Sequence, residues 1–185
     1  MKTFELKGEL RSDYGKKAAK LLRKQDLIPC NLYGLGENVT FTVQTNDVRK
    51  LIYTPDTQVV ALEISGKKYN AVVKELQFHP VKELIFHIDF LAVNEEKPVT
   101  VEVPVQLTGL AEGVKAGGKL SLETRKLKVS AIYTKLPDRV VIDVTNLGLG
   151  KKIQVCDLHF EDYKIMNVPG QMVAQVRATR ASKQA

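Results

Sequence analysis

The sequence predicts a mainly β protein of two domains, with strands and short helices over residues 1–93 and an all-β C-terminal domain over 94–177. Three observations carry this reading. Apolar and polar residues alternate through most of the chain, the period of a strand with one buried face. The helical period of three to four occurs in two short windows only, both in the first half. Between the halves, "AVNEEKP" (residues 92–98) is short, polar and ends in proline, as domain boundaries do. Residues 178–185 read as a basic, polar tail.

The elements follow in order. "FELKGELR" sets Phe4, Leu6, Gly8 and Leu10 on one face and Glu5, Lys7, Glu9 and Arg11 on the other, a half-buried strand ending in an outward arginine. "SDYGK" is a turn. In "KKAAKLLRKQ" the period changes. Ala18, Leu21 and Leu22 share one helix face, and Lys16, Lys20 and Lys24 line another at i, i+4 spacing. Pro29 closes this element, and "IPCNLYG" returns to extended chain. "VTFTV" is an alternating strand, and "TNDVRKLIY" is a short helix capped by Thr45 or Asn46 and stopped before Pro55. "QVVALEI", a turn at "SGK" and "KYNAVVKEL" make a hairpin. "HPVKELIFHIDF" is a strand with Leu84, Phe86, Ile88 and Phe90 toward the core and Ile85, His87, Asp89 and Leu91 on the other face. Past residue 98, "VTVEVPVQL", "LKVSAIY", "RVVIDV", "KIQVCDL", "YKIMNV" and "MVAQVRA" are short β-rich runs spaced as in a sandwich or barrel. Pro104 in the first of them points to an edge strand or a bulge.

Composition narrows the function. At 44% hydrophobic and 26% charged residues, the chain is of ordinary globular character. No apolar run approaches the roughly 20 residues that cross a membrane, and the N-terminus has no apolar block of a secretory signal. Cys30 and Cys156 lie far apart with no CxxC pair, so reduced thiols in a cytosolic protein are expected. The net charge of +7 suits a polyanionic partner. Its distribution says more: residues 1–24 carry eight basic and three acidic side chains, and residues 94–185 fourteen and ten.

Several chemistries can be weighed against these residues. His87 and Asp89 share a strand face about 7 Å apart, an arrangement open to metal binding, acid–base work, a partner or plain solvent exposure. His79 is the nearest further histidine, but the closely spaced Cys or His pairs of zinc sites are absent, and His159 lies in the other domain. Cys30 and Cys156 read as small buried residues, without the neighbouring base of a thiol nucleophile. "GLAEGVKAGGK" does not fit a phosphate-binding loop, because Leu120 stands where Ser or Thr is needed; it reads as a loop of the β domain. The lysine row is either a solvated face or a phosphate-binding one. An aspartate facing RNA makes sense only if it accepts a hydrogen bond from a base amino or imino group.

At this point the residues resemble a known family. "ELRSDYGKKAAKLLRKQDLIPCNLYG" is similar to the N-terminal signature of the bacterial large-subunit ribosomal protein that binds 5S rRNA, number twenty-five in the standard naming. The shared pattern is Arg, Gly-Lys, a basic helix ending in Leu-Arg, Ile-Pro and Tyr-Gly. "HPVKELIFHIDF" resembles its second signature, His-Pro followed by His-(Ile/Val)-Asp-Phe. "GVKAGGKLSLETRKLKV" and "DVTNLGLGKKIQVCDL" resemble the C-terminal domain of the long form, the general stress protein CTC type.

The resemblance implies an N-terminal β-barrel of six to seven strands with short helices, docking on the minor groove of the loop E region of 5S rRNA, and a second all-β domain. Carried over by position, the RNA-facing residues are Arg11, Lys16, Arg23, Tyr33, His87 and Asp89, with Lys20 and His79 beside them. From the residues alone, Tyr33 is equally a core side chain. Asp26 departs from the family, which commonly has glycine there, and Cys30 stands where a small apolar residue is usual. The implied protein is a non-catalytic ribosomal constituent in the cytoplasm, without cofactor, metal, membrane or small-molecule substrate. The basic second domain would meet 23S rRNA or neighbouring ribosomal proteins. The competing reading is a non-ribosomal two-domain β scaffold that binds proteins.

Overall fold

The computed structural model describes residues 2–34, 36 and 38–179. Residues 180–185, most of the expected tail, lie outside them. The chain divides into two compact units, Met1–Val99 with Ile132–Thr134, and Thr100–Ala131 with Lys135–Ala185.

The first unit is a closed six-stranded barrel. Its strands are β1 (Thr3–Leu10), β2 (Leu27–Tyr33), β3 (Val39–Gln44), β4 (Val59–Ile64), β5 (Lys67–Phe78) and β6 (Ile85–Ala92). Around the barrel they run β1-β3-β2-β6-β5-β4, and β1 pairs with β4 in parallel to close it. β2 and β6 are also parallel, and the other neighbours are antiparallel. Alternation sends Leu6, Ile28, Cys30, Leu32, Phe41, Val43, Ile88 and Phe90 into the interior. Phe41 and Phe90 meet there at 5.7 Å between ring centroids. A Cβ at Gly8 would lie 2.5 Å from the Phe41 ring, so the absent side chain makes room for that phenyl group. Ser65 and Gly66, with φ of 48° and 84°, form the two-residue turn between β4 and β5.

Two bulges interrupt the β5–β6 ladder, and the second changes the expected faces. The register between β5 and β6 shifts between Val73 and Glu75, and again between Gln77 and Phe78. At the second shift Gln77 pairs with His87 and Phe78 with Ile85, so Phe86 is the extra residue. A bulge reverses the in–out phase of the strand on one side of it. Ile85 is therefore buried, whereas Phe86 is half-exposed and Leu84 exposed. This corrects the core assignment of Leu84 and Phe86; Ile88 and Phe90, beyond the bulge, are inside.

Helix α1 (Lys16–Lys24) lies against β2 without a fully buried residue. Ala18, Ala19, Leu22 and Arg23 are half-buried, and Leu21, expected to share the apolar face, is 60% exposed. Helix α2 (Thr45–Ile52) buries Val48 and Leu51. Its cap residue is Gln44, one position before the predicted cap, because the Thr45 hydroxyl donates instead to the Asp26 carbonyl at 2.7 Å.

The second unit holds two sheets. β7 (Val99–Thr108), β9 (Lys126–Ala131), β10 (Val140–Asp143) and β12 (Lys164–Ile165) form one, ordered β10-β7-β9-β12. β8 (Lys119–Leu122), β11 (Lys152–Gln154) and β13 (Met172–Arg177) form the other, ordered β11-β13-β8. Val101, Val103, Leu127, Val129, Val140 and Ile142 are buried at alternate positions. β7 is not an edge strand. Pro104 is tolerated because it precedes the β10 ladder, which begins at Val105 opposite Val140. The glycine-rich stretch read as a loop contains a four-residue helix, α3 (Glu112–Lys115). Cys156 is exposed rather than buried: the Asp157 carboxylate accepts from the Gln154 N–H at 2.8 Å and turns the chain out of β11.

Two backbone positions give direct tests. Gly34 has φ of +124°, and a Cβ there would lie 2.9 Å from the Ala92 carbonyl oxygen. Gly34→Ala is expected to cost about 2 kcal/mol or more in urea denaturation, from clash and backbone strain together. Asp26, just past α1, has φ of +57°, a left-handed conformation for which glycine is favoured after a helix. Asp26→Gly should preserve stability or raise it by up to about 1 kcal/mol, and Asp26→Val should lose about 1–2. Equal stability of the Gly and Val variants would contradict this account.

Candidate nucleic-acid interface

The register places Arg11, Tyr33, His87 and Asp89 on one outer surface of the barrel. Past the end of β1, the Arg11 N–H donates to the Thr40 carbonyl at 3.1 Å. Thr40 of β3 pairs with Asn31 of β2, Asn31 with Asp89 of β6, and Asp89 with Glu75 of β5. Cross-strand partners point the same way. A polar row therefore crosses the sheet, and Tyr33 follows Asn31 on the same face of β2. The Tyr14 hydroxyl donates to the Arg11 carbonyl at 3.1 Å and accepts from the Thr40 hydroxyl at 3.2 Å. The Arg11 guanidinium sits 5.8 Å from the Tyr14 ring centroid, and its Nε donates to the Asp13 carbonyl at 2.6 Å.

The middle of this row is acidic. His87 Nδ1 lies 3.6 Å from Asp89 Oδ1, both side chains about one-fifth exposed (21% and 22%). Glu75 faces Asp89 from the next strand. Tyr33 is 37% exposed, and its phenol is pushed above the ordinary tyrosine range by burial first, then by Asp89 and Glu75. Burial, with Asp89 adding to it, also drives the Cys30 thiol far upward. That thiol stays protonated and is a packing group, not a nucleophile.

Beside the acidic row lies the basic helix. Lys16, Lys17, Lys20 and Lys24 of α1 are exposed. Among the described residues, none of Lys16, Lys20 and Arg23 forms an ion pair. Arg23 is held differently from the lysines: its Nε donates to the Phe86 carbonyl at 3.2 Å, and its guanidinium carbon stands 4.6 Å from the centroid of the Phe86 ring. His79 packs edge-on against that ring at 5.1 Å. Its Nδ1 accepts from the N–H groups of Val81 and Lys82 at 3.1 and 3.2 Å, which organises the β5–β6 loop. Only Nε2 of His79 remains for an outside partner. Among the described residues no three His, Cys, Asp or Glu side chains gather as for a metal ion.

A face of unpaired cations along a helix, next to hydrogen-bonding groups on a rigid sheet, suits a partner that carries both phosphates and polar edges. Comparison with known proteins gives a ribosomal context. The description "Ribosomal L25p family" matches residues 6–90, and "Ribosomal protein TL5, C-terminal domain" matches residues 98–180. The chain belongs to the ribosomal L25p family. It is 56% identical over 185 residues to the large ribosomal subunit protein bL25 of Porphyromonas gingivalis, covering 99% of this chain and 96% of that one. The bL25 proteins of Parabacteroides distasonis and Azobacteroides pseudotrichonymphae are each 53% identical, over 189 and 184 residues, covering 99% of this chain and 97% of theirs. The family consists of structural ribosomal proteins, not enzymes. No helix among the described residues is long and apolar enough to cross a membrane.

The two family matches correspond to the barrel and to the two-sheet unit. The surface also contains residues that the sequence reading did not assign to it: Tyr14, Asn31, Thr40, Glu75 and Phe86, the last read as core. Alternation along β2 links Asn31 to Tyr33, so Asn31 was accessible to inspection. Thr40 and Glu75 enter only through cross-strand register, and Phe86 only through the bulge.

The electrostatics of Tyr33 predict a pH dependence. Its folded-state pKa is raised, so folding favours the protonated phenol. Stability tied to this group is intact below the ordinary tyrosine pKa of about 10 and declines as pH rises toward and through the higher folded value. In an alkaline titration followed by phenolate absorbance, the signal lost on Tyr33→Phe should have a midpoint above that of free tyrosine. Asp89→Asn should lower that midpoint part of the way, since burial is the larger cause. No change on Asp89→Asn would refute the placement of its carboxylate.

Proposed function

We propose that this protein, a structural constituent of the large ribosomal subunit, binds 5S rRNA through its barrel, at the minor groove of the loop E region. The observation that carries this is the juxtaposition of the unpaired α1 cations with the row Asn31, Tyr33, His87 and Asp89. Two further facts support it: membership in the L25p family and the relatives named as large-subunit proteins. The second unit, which matches the TL5 C-terminal domain, is assigned to further ribosomal RNA or protein neighbours.

The mechanism follows from charge and shape. Lys16, Lys20, Arg23 and Arg11 neutralise phosphates and release counterions. An RNA helix offers a wide, shallow minor groove displaying base edges and 2′-hydroxyls. The sheet presents Asp89 to that groove, where its carboxylate accepts from a base amino or imino group instead of meeting phosphate. His87, Asn31 and the Tyr33 hydroxyl add donors and acceptors to the same surface. His79 contributes at its margin through Nε2. The phosphate contacts supply affinity and orientation, and the sheet supplies discrimination.

Titration of the full chain against 5S rRNA at several salt concentrations, with tRNA as competitor, tests the reading. Binding should resist tRNA and weaken steeply with salt. Lys16→Ala and Arg23→Ala should each lower the magnitude of the log–log salt slope by about 0.9, the value for one duplex phosphate. Asp89→Ala should weaken binding by about 1–3 kcal/mol with the slope unchanged. Displacement by tRNA at equal concentration would overturn the 5S assignment, and an arginine-sized change in slope on Asp89→Ala would overturn the base contact.

A further inference from the structure

We infer that Phe86, turned outward by the bulge in β6, is a positioning residue that orients the Arg23 guanidinium for a phosphate and pins the last turn of α1 to the barrel. The inference deepens the RNA-binding reading and rests on it for the ligand, but its geometry stands by itself. Helix α1 has no fully buried residue, so its apolar packing holds it only through Ala18, Ala19 and Leu22, all half-exposed. A nine-residue helix is marginal by itself in water and depends on such docking. Arg23 adds two contacts to one residue of β6, the Nε–H donated to the Phe86 carbonyl at 3.2 Å and the guanidinium over the Phe86 ring at 4.6 Å.

These two contacts leave a specific part of the guanidinium available. With Nε used and one face of the plane covered, the two terminal nitrogens have no acceptor among the described residues. They form the fork that meets a phosphate with two parallel hydrogen bonds. The ring is itself braced, since His79 packs edge-on against it at 5.1 Å and is held in turn by the N–H groups of Val81 and Lys82. The bulge is what makes this possible: in an unbroken strand the phase of Ile88 and Phe90 would send Phe86 inward. A held guanidinium has less freedom to lose on binding than a free one, so the effect appears as affinity without a change in the number of phosphates contacted.

The test is a double-mutant cycle on the full chain with 5S rRNA, using Phe86→Leu, which keeps apolar bulk and removes the π face, and Arg23→Ala. Phe86→Leu in the parent should weaken binding about three- to tenfold with the salt slope unchanged. In the Arg23→Ala background it should add nothing, because its action passes through the arginine. The same loss in both backgrounds would overturn the inference, as would parental affinity of Phe86→Leu. A readout without RNA separates this from the 5S assignment. The Arg23 Nε–H should give a protected NMR signal in the free protein, and Phe86→Leu, which keeps the carbonyl acceptor but removes the ring, should lose much of that protection while barrel amides keep theirs. Unchanged protection would overturn the positioning role even if 5S rRNA binds. Failure of the parent to bind 5S rRNA, with protection lost as expected, would remove the ligand and leave the positioning role standing.

Discussion

Closure of the barrel is the constraint on which the interface depends. The parallel pairing of β1 with β4 joins the first strand to the fourth, so every strand of the unit has two neighbours and no free edge. Once the circle is closed, side chains have only two directions, and a filled interior sends the remaining positions outward. Phe41, Phe90, Ile88 and Leu62 are essentially inaccessible, and the outer row from Arg11 to Glu75 is the complement of that packing. A slip of one residue in β6 would exchange the faces of His87 and Ile88, burying the imidazole and exposing the isoleucine. The cost of that exchange is paid by the core, so the hydrophobic interior is what keeps the polar surface in register.

A single extra residue modifies this rule beside the candidate interface. The bulge at Phe86 lets Ile85 return to the core while an aromatic ring stays on the surface. The ring lies beneath the arginine of α1 and beside the histidine that shapes the β5–β6 loop. Sheet, helix and loop therefore converge on one half-exposed phenyl group. Bulges commonly occur beside functional sites because they re-aim one side chain without disturbing the rest of a strand.

Much of the barrel could be read from period alone. The alternating runs at 4–11 and 39–43 are strands, as is the more uniformly apolar run at 58–64, although Leu10, read onto the apolar face of the first, is exposed at its end. Ile88 and Phe90 followed the same logic correctly. Leu84 and Phe86 did not, because a bulge leaves no mark in hydrophobic period: a leucine and a phenylalanine look like core whichever way they point. Leu21 failed for a related reason. At about 100° per residue Leu21 lies at one edge of a single broad apolar arc, and the barrel takes the other side of that arc, through Ala18, Leu22 and Ala19. Asp26 occupies a left-handed conformation, which aspartate adopts more readily than most residues but which hydrophobic period does not reveal. Cys156 was placed on a strand that ends two residues earlier, at a capping contact made by Asp157. Short-range pattern thus identifies elements, whereas register, bulges and caps depend on partners distant in sequence.

The same division applies to the surface. Arg11, His87 and Asp89 stand out in sequence because charge in an alternating strand has to face away from the core. Thr40, Asn31 and Glu75 join them through pairing alone. Their company changes what the acidic groups mean. A lone aspartate on a basic protein could be incidental, but Asp89 opposite Glu75, with Tyr33 kept neutral beside both, is a surface that repels phosphate at its centre. The cations of α1 lie to one side of it. A polyanion can satisfy both regions only by laying its backbone along the helix and turning its base edges toward the sheet. The charge pattern therefore restricts orientation as well as affinity, because a phosphate chain drawn across Asp89 and Glu75 would meet like charge.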